Sequence, residues 1–402
     1  MASLLGILLF ALGIAVTIAL HEWGHLTAAR SFGMRVRRYF IGFGPVLWSI
    51  KRGHTEYGIK AIPLGGFCDI AGMTGQDPIT DEERPHAMVT KPWWQRIIVL
   101  LGGIIMNVLV AFCLLYGVAV SAGLPNPDVQ PTTKIGAVSC VPETQTDADS
   151  LSECTGTGPA AAAGIQAGDE VVSLNGEEVN DFMTLRDLLL ERPGETVTLE
   201  VIRGEKTLEI PVEVQRVQRL NAAGETIEVG AIGISMAPLE NTTLEYNAAS
   251  AIGGAASYTG YMFEATWEGL KSFPAKIPGV AASIFGQERD ETSPMSVVGA
   301  SRVGGELAEK NLWSIFFLML ANLNLFLAMF NLIPLPPLDG GHIAVVLYEK
   351  IRDFFRKLRG LEPGAPADYT KLMPLTLTVA ALLLVVGVVT IVADVVNPIR
   401  LF

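Results

Sequence analysis

Four apolar runs, each close to the length of a bilayer crossing, set the limits on how this chain can fold. They occupy residues 4–20, 97–120, 312–335 and 373–393. A hydrocarbon core of about 30 Å takes about 20 helical residues to cross. Inside it each backbone polar group has to be satisfied within the protein, so each run is expected to be a helix. Composition agrees: 50% of the residues are hydrophobic and only 17% are charged, where soluble domains carry about 25%. The first run has the length of a secretory signal as well. It has no basic leader or small-residue cleavage site and passes straight into His21-Glu22-Trp23-Gly24-His25, so a retained span is expected.

The loops orient these helices. Arg30, Arg35, Arg37, Arg38, Lys51, Arg52 and Lys60 lie between the first two spans. Lys350, Arg352, Arg356, Lys357 and Arg359 lie between the last two. Basic loops stay cytoplasmic. Residues 122–311, rich in acid, are then expected outside, and the N-terminus with them. The net charge of −12 argues against a nucleic-acid partner. Trp93 and Trp94 are placed to anchor the second span at the interface.

The outer segment has its own pattern. Residues 135–215 read as short strands, turns and one helix. An alternating strand before Asn175-Gly176, an amphipathic helix over 182–191 and two strands at 196–203 and 206–214 are predicted. The stretch from Gly158-Pro159-Ala160 to Asn175-Gly176 resembles a PDZ domain, a fold that takes up extended peptides by strand addition; a passive folded spacer is the alternative. Cys140 and Cys154 are the expected disulfide if that side is oxidising, with two free thiols as the alternative. Residues 248–291 read as an amphipathic helix at the outer interface, interrupted at Pro274 and Pro278. The expected architecture is α-helical and multi-pass. A membrane core at 1–121 has spans at about 4–22 and 97–121 around a membrane-associated β region at about 36–68. A PDZ-like α+β domain at 130–219 and a juxtamembrane region at 220–311 follow. A second membrane half at 312–402 has spans at about 312–335 and 373–393.

The chemistry starts at His21-Glu22-Trp23-Gly24-His25, an H-E-x-x-H. Residues four apart on a helix share a face, so both imidazoles can reach one metal ion, with Glu22 beside them as a general base. From residue 4, His21 is about 25 Å along the helix, near the far side of the hydrocarbon core. Imidazoles and a carboxylate at that depth are costly without a partner, and an ion supplies one. A catalytic zinc takes three protein ligands and keeps one position open. The third run travels in the same direction and closes on Asn331-Leu332-Ile333-Pro334-Leu335-Pro336-Pro337-Leu338-Asp339-Gly340-Gly341-His342. Asp339 therefore arrives near the depth of His21; His342 is a rival ligand. His54 and His86 read as solvated.

An H-E-x-x-H in the first span with a late N-x-x-P…L-D-G resembles the site-2 protease family of intramembrane metalloproteases, its bacterial single-PDZ members above all. Gly103-Ile104-Ile105-Met106-Asn107 is similar to the family's G-x-x-x-N, departing at Ile104 where many members carry proline. Residues 56–67, ending Pro63-Leu64-Gly65-Gly66-Phe67, resemble its membrane-associated strand and turn, and Ser293-Pro294-Met295-Ser296-Val297-Val298 resembles the stretch before its third span. The resemblance implies one Zn2+ held by His21, His25 and Asp339, with Glu22 as base and Asn331 and Asn107 near the substrate. Helix–helix hydrogen bonding is the plainer role for the two asparagines. It also implies single-span membrane substrates, anti-sigma factors among them, trimmed first by an upstream site-1-type protease, and residence in a bacterial cell membrane with the active site near the cytoplasmic side. Strands at 46–50 and 56–62 are expected to offer an edge to the unwound substrate. A non-catalytic PDZ scaffold and a zinc-binding transporter are the rival functions; the scaffold leaves Glu22 and the three ligands unexplained, and the transporter needs a second polar half-site that spans two and four hardly offer.

Overall fold

The computed structural model describes residues 2–129, 132–147, 150–220, 226–287, 289–290 and 292–399. The chain forms two compact units, Met1–Leu124 with Glu245–Phe402, and Pro125–Leu244. The first contains, in chain order, α1 (Ala2–Ser31), β1 (Val36–Arg52), β2 (Thr55–Ile70) and α2 (Trp93–Ser121). After the second unit come α3 (Ser250–Ser283), α4 (Val297–Glu309), α5 (Trp313–Leu332), α6 (Asp339–Leu358) and α7 (Met373–Val396). Among the described residues α1, α2, α5 and the stretch Tyr369–Val396 are long and apolar enough to cross a membrane. The chain is a multi-pass membrane protein. Leucines exposed on the helix surfaces, such as Leu4, Leu8, Leu12, Leu382 and Leu384, are left for lipid.

α1 continues about three turns beyond its apolar run. It can do so because Leu26 and Ala29 bury against Val36, Ile70, Val99 and Leu100. Gly24 is the closest point between α1 and α2: a Cβ there would sit 2.2 Å from the carbonyl oxygen of Gly102, and one on Gly102 would sit 2.6 Å from that of Gly24. Only glycine permits this approach, the usual way helices pack where lipid offers no hydrophobic drive. Deeper in the bundle the Asn324 amide donates to Thr17 Oγ1 at 3.1 Å, tying α5 to α1.

Three elements differ from expectation. Pro274 and Pro278 lie inside one continuous helix, α3. Each removes one backbone hydrogen bond, but the helix is packed on both sides of them: Phe273 meets Phe326 of α5 with ring centroids 6.4 Å apart, and Val280 and Ser283 are buried. α4 was not foreseen; Ser296 caps it, and Val303 and Leu307 pack on Phe10 and Ile14 of α1. The β region is longer than read, and its pairing is different. Phe40 faces Phe67 on one side and Gly58 on the other, and Gly58 also faces Ser49. The two strands thus fold back into four segments, ordered 66–70, 36–41, 55–60 and 46–52. Of the two strands expected to offer an edge, 46–50 lies on one and 56–62 is corrected: residues 56–59 are paired on both sides, and the edges belong to 46–52 and 66–70. The side chains of Pro63 and Leu64 lie outside the described residues.

The second unit carries a four-stranded sheet in which Glu170–Leu174 lies between Glu177–Glu178 and Thr196–Arg203, with Lys206–Glu213 outermost. Asp181 caps the helix Phe182–Leu190, accepting from the Thr184 N–H at 2.7 Å. Ile165, Leu174, Leu185, Leu199 and Ile232 form its fully buried core. Ile232 belongs to this core, which is why the unit runs past residue 219 to Leu244. Cys140 and Cys154 form a disulfide. Residues 130, 131 and 221–225 of the expected domains lie outside the described residues.

Replacing Gly24 by Ala should destabilise the membrane unit by about 1–3 kcal/mol through overpacking. Gly117→Ala, where the added methyl meets open space, should be neutral or mildly stabilising. Thermal unfolding of the two variants in one detergent makes the comparison.

Candidate metal centre

Two chain segments bring three side chains to one point. His21 and His25 share a face of α1, and their Nε2 atoms are 3.2 Å apart. Each Nε2 is 3.3 Å from Asp339 Oδ2. His25 Nδ1 is 2.8 Å from the carbonyl oxygen of Val99 on α2. That carbonyl can only accept, so Nδ1 carries the proton and Nε2 keeps its lone pair for a metal. Asp339 gets there by a sharp change of direction. α5 stops at Leu332, prolines at 334, 336 and 337 cannot continue it, and α6 restarts at Asp339. Gly103 of α2 completes the wall: a Cβ on it would lie 2.5 Å from His25 Nε2 and 2.7 Å from His21 Nε2.

The donor triangle matches a tetrahedral zinc. Bonds of about 2.0–2.1 Å at tetrahedral angles put neighbouring ligand atoms about 3.3 Å apart, the edge found on all three sides. Asp339 Oδ2 is buried and has no hydrogen-bond donor. Left so, a carboxylate oxygen and two imidazole nitrogens converging away from water would be strongly disfavoured. A bound cation removes the conflict. These three residues also form the one possible metal-holding group of this kind among the described residues.

Glu22 lies within electrostatic reach of His21, His25 and Asp339, and the Cys68 backbone approaches its carboxylate. Gly66 on the 66–70 edge abuts it, since a Cβ there would come within 3.0 Å of Glu22 Cγ. Asn107 is one turn beyond Gly103 on α2, 1% exposed, and neither of its amide atoms has a hydrogen-bond partner. Helix–helix bonding therefore does not account for it. Asn331 is half-buried at the end of α5 and is not part of the metal group. His342, the rival ligand, turns elsewhere: its Nδ1 is 3.2 Å from the Tyr369 hydroxyl, and its ring stacks on that tyrosine. His54 and His86 are exposed, as expected.

The residues that hold the centre from outside were missed in the sequence. Arg96 of α2 and Glu349 of α6 form a buried ion pair at 2.7 Å, and Glu349 also accepts the Ala367 N–H at 2.6 Å. The pair fixes α6, and hence Asp339, to the helix that orients His25. Charges 253 positions apart leave no local pattern that would have revealed it.

Residues 9–367 match the model of Peptidase family M50. The chain is 46% identical over 405 residues to zinc metalloprotease Rip1 of Mycolicibacterium smegmatis, covering 99% of each chain. It is 42% identical over 402 residues to zinc metalloprotease Rip1 of Mycobacterium tuberculosis strain H37Rv, covering 99% of this chain and 98% of that one. With a match that takes in both histidines, the aspartate and the glutamate beside them, this chain belongs to peptidase family M50.

Proposed function

We propose that this protein is a zinc endopeptidase that hydrolyses peptide bonds within the membrane-spanning segments of other proteins. His21, His25 and Asp339 are its ligands and Glu22 is its general base. The nearly equal-sided donor triangle between α6 and α1, a helix long and apolar enough to cross a membrane, carries this reading. Both Rip1 relatives are named zinc metalloproteases, which supports the choice of metal. Zinc bound there supplies a Lewis acid that polarises the scissile carbonyl and lowers the pKa of water to about 7. Glu22 accepts the proton of the attacking water and returns it to the leaving amide nitrogen. The Val99 carbonyl keeps His25 in one tautomer and orientation. Gly103 keeps the space above the imidazoles open. Asn107, with its amide unspent, is positioned for the substrate backbone.

A membrane helix hides its peptide bonds in its own hydrogen bonds and has to unwind before it can be cut. The free edge at 66–70 runs beside Glu22 and takes up the unwound strand there. The substrates are single-span proteins already trimmed by another protease, with anti-sigma factors as the leading class, in a bacterial cell membrane. The unit Pro125–Leu244 acts as a PDZ-like reader of the trimmed end, on the outer side. Its short strand Ile234–Met236 pairs on one side with Ile135–Val138 and shares a core with the helix Phe182–Leu190, leaving a strand-addition edge.

Glu22→Gln should keep zinc at wild-type stoichiometry and lower cleavage of a reporter membrane segment by at least about 10²–10⁴-fold; unchanged cleavage with zinc present would remove Glu22 from the mechanism. Gly66→Val crowds the edge beside Glu22, and cleavage should fall more than about tenfold (1.4 kcal/mol) while metal content holds. Gly103→Ala drives a methyl into both imidazoles. It should weaken zinc binding by about tenfold or more, read by chelator competition, with helix content by circular dichroism unaltered.

A further inference from the structure

A cavity of about 350 Å³ opens where α1 ends, between the following turn and the β1–β2 connection. Arg30, Arg35, Arg52, His54, His86 and the hydroxyl-bearing Thr55 line it, and no carboxylate does. The charges are not spent within the protein. Arg30 donates to the neutral hydroxyls of Thr55, at 3.0 Å, and Tyr57. Arg35 has only Glu82 at 3.9 Å, a side chain 88% exposed, and such a contact is worth little. Nothing in the proposed peptidase chemistry uses this pocket.

We infer that this cavity binds a phosphate-bearing anion, and that the anion is the headgroup of an anionic phospholipid. Guanidinium groups match phosphate oxygens with paired donors, and three converge here. Basic pockets at the ends of membrane helices are suited to such headgroups. The lipid source is favoured by the pocket's neighbours. β1 runs directly from Arg52 into Val46, Leu47, Trp48 and Ile50, which are 51%, 70%, 56% and 40% exposed. A headgroup in the pocket would lay its acyl chain along this apolar strand, which a free phosphate would leave bare.

The test uses the full chain in neutral detergent. Retention of phosphatidylglycerol and of phosphatidylcholine is compared by native mass spectrometry, with inorganic phosphate as a competing arm. The wild type should retain phosphatidylglycerol at least tenfold better. Arg52→Gln should lower that retention about fivefold and the pair Arg35→Gln with Arg52→Gln about thirtyfold, whereas Lys51→Gln, outside the pocket, should leave it unchanged. Retained zinc in each variant checks that the fold survives, and Arg52→Gln alone, at an exposed position, carries the test if the double variant misfolds. Equal retention of the two lipids, or no loss in the arginine variants, overturns the site. Full displacement by inorganic phosphate at micromolar concentration overturns the lipid assignment in favour of a soluble anion.

Discussion

Three lone pairs aimed at one point inside a lipid-embedded helix bundle are the constraint on which the rest of this molecule is built. Without a cation, His21, His25 and Asp339 would crowd a buried carboxylate oxygen and two imidazole nitrogens into one small space away from water. With one, the same atoms become a centre with a vacant position. The surrounding sequence keeps the two imidazoles and the carboxylate at that separation. Gly24 and Gly102 let α1 and α2 touch backbone to backbone. That contact brings the Val99 carbonyl within 2.8 Å of His25. Gly103 then leaves the room that the imidazoles need. Adjacent glycines thus serve two different ends: one sets the helix spacing, the other sets the volume over the metal.

What could be read in the sequence was what depends on local period and on single spacings. The four spans announce themselves by length and hydropathy, and the H-E-x-x-H by the helical repeat. Asp339 could be reached because prolines at a span's end and a shared travel direction put it at a calculable depth. The missed elements share a different property. α4 buries mostly small residues, Gly299, Ser301, Gly304, Gly305 and Ala308, so few large apolar side chains mark it in the sequence; Val303 and Leu307 pack on Phe10 and Ile14. The ion pair of Arg96 with Glu349 joins positions with no sequence relation. The β region misled for a subtler reason. Alternation and a Gly53 turn indicate a hairpin, but not that residues 36–41 and 55–60 each pair on both sides. Local pattern gives strand faces, whereas which strand is the edge depends on where the chain returns.

That return matters for the chemistry. A peptide bond in a membrane helix becomes available only when another partner takes over its hydrogen bonds. The segment 66–70 is an edge for the same reason that 56–59 is not: β1 occupies both sides of the latter and one side of the former. Gly66 on this edge lies against Glu22, so unwinding and proton transfer would take place within a few ångströms of each other.

Asp339 differs from the histidines in how it is held. His21 and His25 are set four residues apart by one helix, so their separation is nearly fixed by the backbone. Asp339 stands at the start of α6, after a proline-rich turn, on a different chain segment from the histidines. The restraint comes from ten residues further on, where Glu349 meets Arg96 with both side chains 9% exposed. Breaking a buried pair of this kind costs about 3–5 kcal/mol, so α6 cannot slide along its axis cheaply. Arg96 is on the same helix as Val99, Gly103 and Asn107. α2 therefore orients one histidine directly, clears space for both, and holds the aspartate through α6. α2, which carries none of these three side chains, is thus the helix that orients His25, leaves room for both imidazoles and ties down the helix of Asp339.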